Sequence, residues 1–146
     1  MRKAIYLFFL LLNSCQKYEE GPWFSLYSAK NRIERKWKIE EYYVNDIDSS
    51  TSIVNNPCYM NLIFVSGEYY EFYGESNSIS CSINGSWELK NNCKEIGIYL
   101  MPNSFFSSGP LSSKAVAIWE ILRLTRNDFW IQTTYNNVKY KVKMQS

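Results

Sequence analysis

The stretch VKYKVKM, residues 138–144, alternates throughout: Val138, Tyr140, Val142 and Met144 fall on one side, and Lys139, Lys141 and Lys143 on the other. Successive side chains of a strand point to opposite faces. This period of two therefore predicts an antiparallel strand with one buried face and one wet face. The lysine stripe then reads as a solvated face. Upstream, Ile83, Trp87 and Leu89 oppose Asn84, Ser86 and Glu88, and Ile96, Ile98 and Leu100 share a face. Working outward, eight aromatic or β-branched runs are divided by turn residues: 37–44, 58–65, 69–74, 82–90, 95–101, 116–124, 128–135 and 138–144. Short strands at this density, with no helical period between them, predict an all-β fold and not βαβ units.

Two runs depart from clean alternation. In IWEILRL (118–124), Ile121 and Leu124 stand three apart, which predicts a bulge. In EYYEFY (68–73) either parity could point inward. Connections after runs two, four and six are short, around Ser66-Gly67, Asn91-Asn92 and Arg126-Asn127. Those after runs one, three and five are longer, at 45–57, 75–81 and 102–115. Alternate connections of a meander lie at the same end, so one end is expected to be tight and the other to carry long loops. The architecture expected for residues 35–146 is an eight-stranded antiparallel up-and-down barrel, which can be filled or hold one small ligand. A short helical turn precedes it, with Ser28 as N-cap of AKNRIERK.

The first residues give an address. Arg2 and Lys3 are basic, Ala4–Leu12 are nine apolar residues, and Ser14 is small. That is the order of a secretory signal. Nine helical residues rise about 14 Å, too short for a core of ~30 Å. Leu12-Asn13-Ser14-Cys15 resembles a bacterial lipobox. The resemblance implies that residues 1–14 are removed, that Cys15 receives fatty acyl chains such as palmitate, and that the mature chain is anchored to a membrane. More than one chain makes such an anchor stable. Gln16 is not the Asp that retains enteric lipoproteins in the inner membrane, so the outer membrane is the expected site. Lys17 with Glu19-Glu20 resembles the surface-export signal of some Bacteroidota lipoproteins, interrupted by Tyr18. Residues 15–34 read as tether and helical lead-in, with Gly21-Pro22 breaking regular structure.

Composition narrows the chemistry. The signal holds two of the 16 basic residues and none of the 14 acids, so residues 15–146 carry no net charge. With no basic run, nucleic acid is not an expected partner. There is no histidine, which removes Ser-His-Asp and Cys-His catalysis and histidine metal sites. The 12 Tyr, 8 Phe and 5 Trp favour strands and a filled interior.

RKWKIEEYYVN (35–45), PCYMNLIFVSGEYYEF (57–72), SCSINGSWEL (80–89) and AIWEILRLTRNDFWI (117–131) resemble the lipocalin-like lipoproteins of Bacteroidota. SLYSAKNRIERKW (25–37) resembles the segment leading into their first strand. The resemblance implies a small calycin-type barrel with Trp37 packed near the closed end. The family's first strand usually opens Gly-x-Trp, whereas here Arg35-Lys36-Trp37 lacks the glycine.

Candidate residues follow. Glu40 and Glu41 are adjacent on a strand and point to opposite faces. Glu41 shares parity with Trp37 and Ile39. It would be an inward, raised-pKa carboxylate unless a bulge turns it out. With no paired acids and no phosphate loop, an enzyme is not expected, and no cofactor is. Cys58, Cys81 and Cys93 are too far apart in sequence for a zinc site, so no metal is expected. In a meander Cys58 and Cys81 both sit at the open end and Cys93 at the closed end. A strand of eight residues spans ~26 Å and disulfide Cα atoms lie within ~7 Å, so a Cys58–Cys81 bridge is allowed and Cys93 reaches neither. The family resemblance agrees. Apolar pairs on the open-end loops, Ile53-Val54 and Phe105-Phe106, cover a ligand, contact a partner or plug the interior. Candidate ligand contacts are Tyr43, Met60, Phe105, Phe106 and Ile118. The function expected is binding of a small apolar or amphipathic ligand. The alternative is a filled barrel that contacts an envelope partner through its loops.

Overall fold

The computed structural model describes residues 18, 27–54, 61–65, 69–76, 79–100 and 116–146. In chain order the elements are helix α1 (Ala29–Ile33), strands β1 (Lys36–Val44) and β2 (Ile47–Asp48), helix α2 (Ser50–Val54), then β3 (Asn61–Val65), β4 (Tyr69–Ser76), β5 (Ile79–Lys90), a 3-10 turn over Asn91–Cys93, β6 (Glu95–Leu100), β7 (Val116–Leu124), β8 (Asp128–Tyr135) and β9 (Val138–Gln145). Eight of the nine strands answer to the eight runs. All pair antiparallel in the order β2-β1-β3-β4-β5-β6-β7-β8-β9, and β1 pairs with β9 as well. The two contacts of β1 are staggered. It takes β3 at Lys36–Lys38 and β9 over Lys38–Val44.

The connections differ from expectation. The ladder between β4 and β5 runs on through Gly74–Cys81 and Glu75–Ser80 to Ser76–Ile79. Residues 75–76 and 79–81 are therefore ladder residues of β4 and β5 and not part of an intermediate loop, and Cys81 lies inside β5 and not before it. Ser and Asn in SNSIS suggest a loop by composition, but backbone ladder bonds form whatever the side chains are. Residues 45–54 are also structured. Asn45 (φ 50) and Asp46 (φ 62) make the left-handed pair of a tight hairpin into β2. A matching pair, Asn136 (φ 50) and Asn137 (φ 61), joins β8 to β9. The two turns are tied together: Lys139 N donates to Asn45 Oδ1 at 2.9 Å, and Asn45 N to Lys139 O at 2.8 Å. They form the upper rim. The 34–35 link, the 91–94 turn and the 125–127 turn form the lower rim.

Two bulges set which side chains point inward. Register slips between Ile121 and Arg123 in β7, so Ile121 and Leu124 are both buried, as their spacing of three required. A second slip lies between Ile39 and Glu41 in β1. Beyond it Tyr42 pairs with Val142 and Tyr43 with Lys141. The extra residue reverses parity.

The core is densest at the lower end. Trp37, Phe64, Trp87 and Phe129 expose no more than 2%. Their rings meet at 5.4 Å (Trp37–Phe129), 5.8 Å (Phe64–Phe129) and 5.4 Å (Phe64–Trp87), tilted or edge-on. Such pairs contribute about 1 kcal/mol each beyond the area they bury. Helix α1 lies across this end. Ser28 caps it by accepting from Asn31 N at 3.2 Å, Ile33 is fully buried, and Trp37 Nε1 donates to Ile33 O at 2.9 Å. Arg35, which stands where the resembling family has glycine, donates through Nη1 to Arg126 O at 2.6 Å and so links α1 to the β7–β8 turn.

Candidate functional site

The core face changes character towards the upper rim. Register places Thr133 beside Tyr140, Tyr140 beside Val44, and Tyr42 beside Val142. Tyr42 and Tyr140 are partly buried against the core, with ring centroids 6.3 Å apart and planes tilted by 31°. Trp119, paired with Ile96, is 1% exposed. Its Nε1–H is buried and has no acceptor among the described residues. A buried donor left unmade costs about 1–3 kcal/mol, so a group that accepts from it would be retained. Burial pushes the Tyr42 phenol up to about 12, with Tyr140 adding to the rise. Tyr42 is therefore neutral and can donate across the ordinary pH range. The two tyrosine rings with their polar tips offer apolar area and few oriented hydrogen bonds, the mixture that small-ligand sites use.

The sequence candidates fall in different places. Tyr43 lies on the outer face. Its hydroxyl donates to Glu41 Oε2 at 2.5 Å, and Lys141 and Lys143 lie 5.9 and 5.3 Å from its ring. Glu41 is turned outward by the bulge and meets Lys143 Nζ at 2.7 Å. Hydrogen bonds from Lys143 and then Tyr43 hold its carboxyl below the ordinary glutamate range. Lys143 also lies 4.8 Å from the Trp130 ring. The lysine stripe is thus half-buried and pinned over aromatic rings and a carboxylate, where the sequence suggested a bare solvated face.

Ile118 is on the outer face too, 45% exposed. It opens into a polar groove of about 410 Å³ lined also by Glu95, Glu120, Gln132, Thr134 and Lys139. Met60, Phe105, Phe106, Cys15 and Cys58 lie outside the described residues, as do the side chains of Ile53, Val54 and Cys81. The Cys58–Cys81 bridge therefore lies outside them too. Cys93 is a free thiol, half-buried in the lower turn. Among the described residues no group of three His, Cys, Asp or Glu side chains could hold a metal ion.

Tyr42 was missed because the slip at Glu40 was followed only as far as Glu41. One residue further, the same slip turns Tyr42 inward and Tyr43 outward.

No known family model matches this chain, and no curated protein does. Among solved structures, the fold is similar to that of a lipocalin-like protein from Bacteroides uniformis. The TM-score is 0.55 at 15% identity, over 79% of this chain and 98% of the other. At that identity the likeness is one of fold: a lipocalin-like antiparallel sheet.

Proposed function

We propose that this chain is a lipid-anchored, non-catalytic lipoprotein of the cell envelope, held in the outer membrane through Cys15. Its sheet curls into a lipocalin-like barrel that takes one small apolar or amphipathic molecule at its upper end. The return of β9 onto β1 supports the curled wall. The fold likeness to a lipocalin-like protein supports a binding role. The single observation that carries the reading is the core face, where Tyr42 and Tyr140 stay partly buried at the upper end and the Trp119 indole N–H, midway along β7, has no acceptor among the described residues.

Titration with a fluorescent fatty acid tests the site. Trp119→Phe keeps an aromatic ring, though a smaller one, and removes the donor, so affinity should fall at least about fivefold, the equivalent of one hydrogen bond of ~1 kcal/mol. Unchanged affinity in both Trp119→Phe and Tyr140→Ala would move the site elsewhere. The anchor is tested separately. Cys15→Ser should accumulate unprocessed or lose lipid labelling, and a variant cleaved and fractionating as before would show the lipid reading to be wrong.

A second reading has one observation in its favour, the exposed Ile118 in the outer groove. An interaction lipoprotein with a filled interior would contact its partner there and take up no probe at all.

A further inference from the structure

Cys15 and Tyr18 are three residues apart, and an extended chain covers at most ~11 Å over that distance. Tyr18 is not part of a loose tether. It is 3% exposed and belongs to the hydrophobic core cluster. The guanidinium of Arg32 lies 5.6 Å from the centre of its ring. Arg32 is itself only 5% exposed and donates through Nη1 to the Leu124 carbonyl, at the start of the β7–β8 turn. Cys93, in the β5–β6 turn, is close enough to act on the Tyr18 phenol electrostatically. Tyr18 is therefore seated at the lower rim, among α1, the 91–94 turn and the 125–127 turn.

The charges of that rim point the same way. Lys30, Arg35, Lys36, Lys94 and Arg126 gather there among the described residues. Its acids are Glu34, which lies 3.9 Å from Lys30, Asp128, held by Arg123 at 3.0 Å, and Glu95, which accepts from Asn91 Nδ2 at 3.1 Å, so the basic residues outnumber them. Lysine and arginine close to a bilayer are attracted by anionic headgroups.

We propose that the lower rim faces the membrane: Tyr18 clamps the tether so close to the lipidated cysteine that this basic end rests on anionic headgroups and the upper end points away. The proposal rests on lipidation of Cys15. It makes the protein a fixed post on the membrane and not a domain on a flexible leash, with the ligand end presented outward.

The test uses full-length lipidated protein in phosphatidylcholine–phosphatidylglycerol vesicles that carry a nitroxide-headgroup lipid. A genetically encoded fluorescent amino acid replaces Asn127, at the lower rim, or Thr134, far along β8. The two positions are ~23 Å apart along the strand, so quenching should be roughly threefold or more stronger at 127. In a second protein about a dozen Gly/Ser residues are inserted between Gln16 and Lys17. That leaves Tyr18 seated but adds a tether of roughly 20 Å, and the ratio should fall towards one. Equal quenching in the parent chain, or stronger quenching at 134, overturns the orientation. Mass spectrometry of the same samples reads the acyl chains. Their absence overturns the lipid anchor and the orientation with it, whereas their presence with equal quenching overturns the orientation alone.

Discussion

The two ends of one core differ although the same strands build both. At the lower end Trp37, Phe64, Trp87 and Phe129 are buried to 2% exposure or less and interlock ring against ring. At the upper end Tyr42 and Tyr140 are only partly buried, and midway along β7 the Trp119 indole N–H has no acceptor among the described residues. Under the proposed function, a strand running from one end to the other contributes to stability at its lower half and to ligand binding at its upper half. Dense packing forgives little, whereas a site must keep surface and hydrogen bonds in reserve.

The sharpest way to break this contrast is to truncate a ring at each end. Phe129→Ala should cost about 3–5 kcal/mol, as large core deletions do. Tyr140→Ala, whose ring keeps part of its surface in water, should cost about 1–2 kcal/mol. Denaturant midpoints at unchanged slope would measure both. Equal costs would mean that the upper end is packed as tightly as the lower.

A middle-sized effect comes from pH. The Tyr42 phenol is held up to about 12 by burial, above its unfolded value of ~10. The folded state binds this proton more tightly, so the stabilisation is complete below pH ~10 and is lost as the pH rises towards 12, by about 1–2 kcal/mol. Tyr42→Phe should flatten that alkaline fall. Phenolate absorbance titrating near pH 10 for every tyrosine would show that the upper end is open water.

The smallest effect lies on the outer face. Glu41 is pulled below its ordinary range by Lys143 and Tyr43, and its side chain is 44% exposed. A depressed carboxylate stabilises above its unfolded pKa and loses that contribution as the pH falls through its folded one. Exposure screens the pair, so Glu41→Gln should cost no more than about 0.5 kcal/mol at pH 7. It should also remove part of the acid-side decline below pH ~4. A loss above ~2 kcal/mol would mean that this pair is buried and belongs to the core.

Strand identity was legible because each run kept its period: Val142 and Met144 in β9, Trp87 in β5, and Ile96 and Ile98 in β6 are all buried, as their alternation required. The β7 bulge was legible too, since two core residues three apart leave no other solution. The site was less so. One extra residue at Glu40 exchanges Tyr42 for Tyr43, and two adjacent tyrosines carry no signal that says which is inside. Cys81 was misplaced because the β4–β5 ladder, held by backbone bonds, runs on to Ser76–Ile79 through residues whose composition suggests a loop. Tyr18 and Arg32 were illegible for a different reason. Their partners, the 91–94 and 125–127 turns, are brought to them only by the finished fold.

The pairing of β1 with β9 has a kinetic consequence. Most strands bond to the next one along the chain, and each such hairpin can form on its own within microseconds. Lys38, by contrast, meets Gln145 at the far end of the chain. Closing a loop of about 100 residues costs roughly 4 kcal/mol in chain entropy before any contact forms. β1, which precedes the other strands of the sheet, pairs early with β2 and β3 but completes its second edge only when β9 is in place. Until then KWKIEEYYV presents an unpaired edge, the interval in which strand-to-strand association between chains competes with folding.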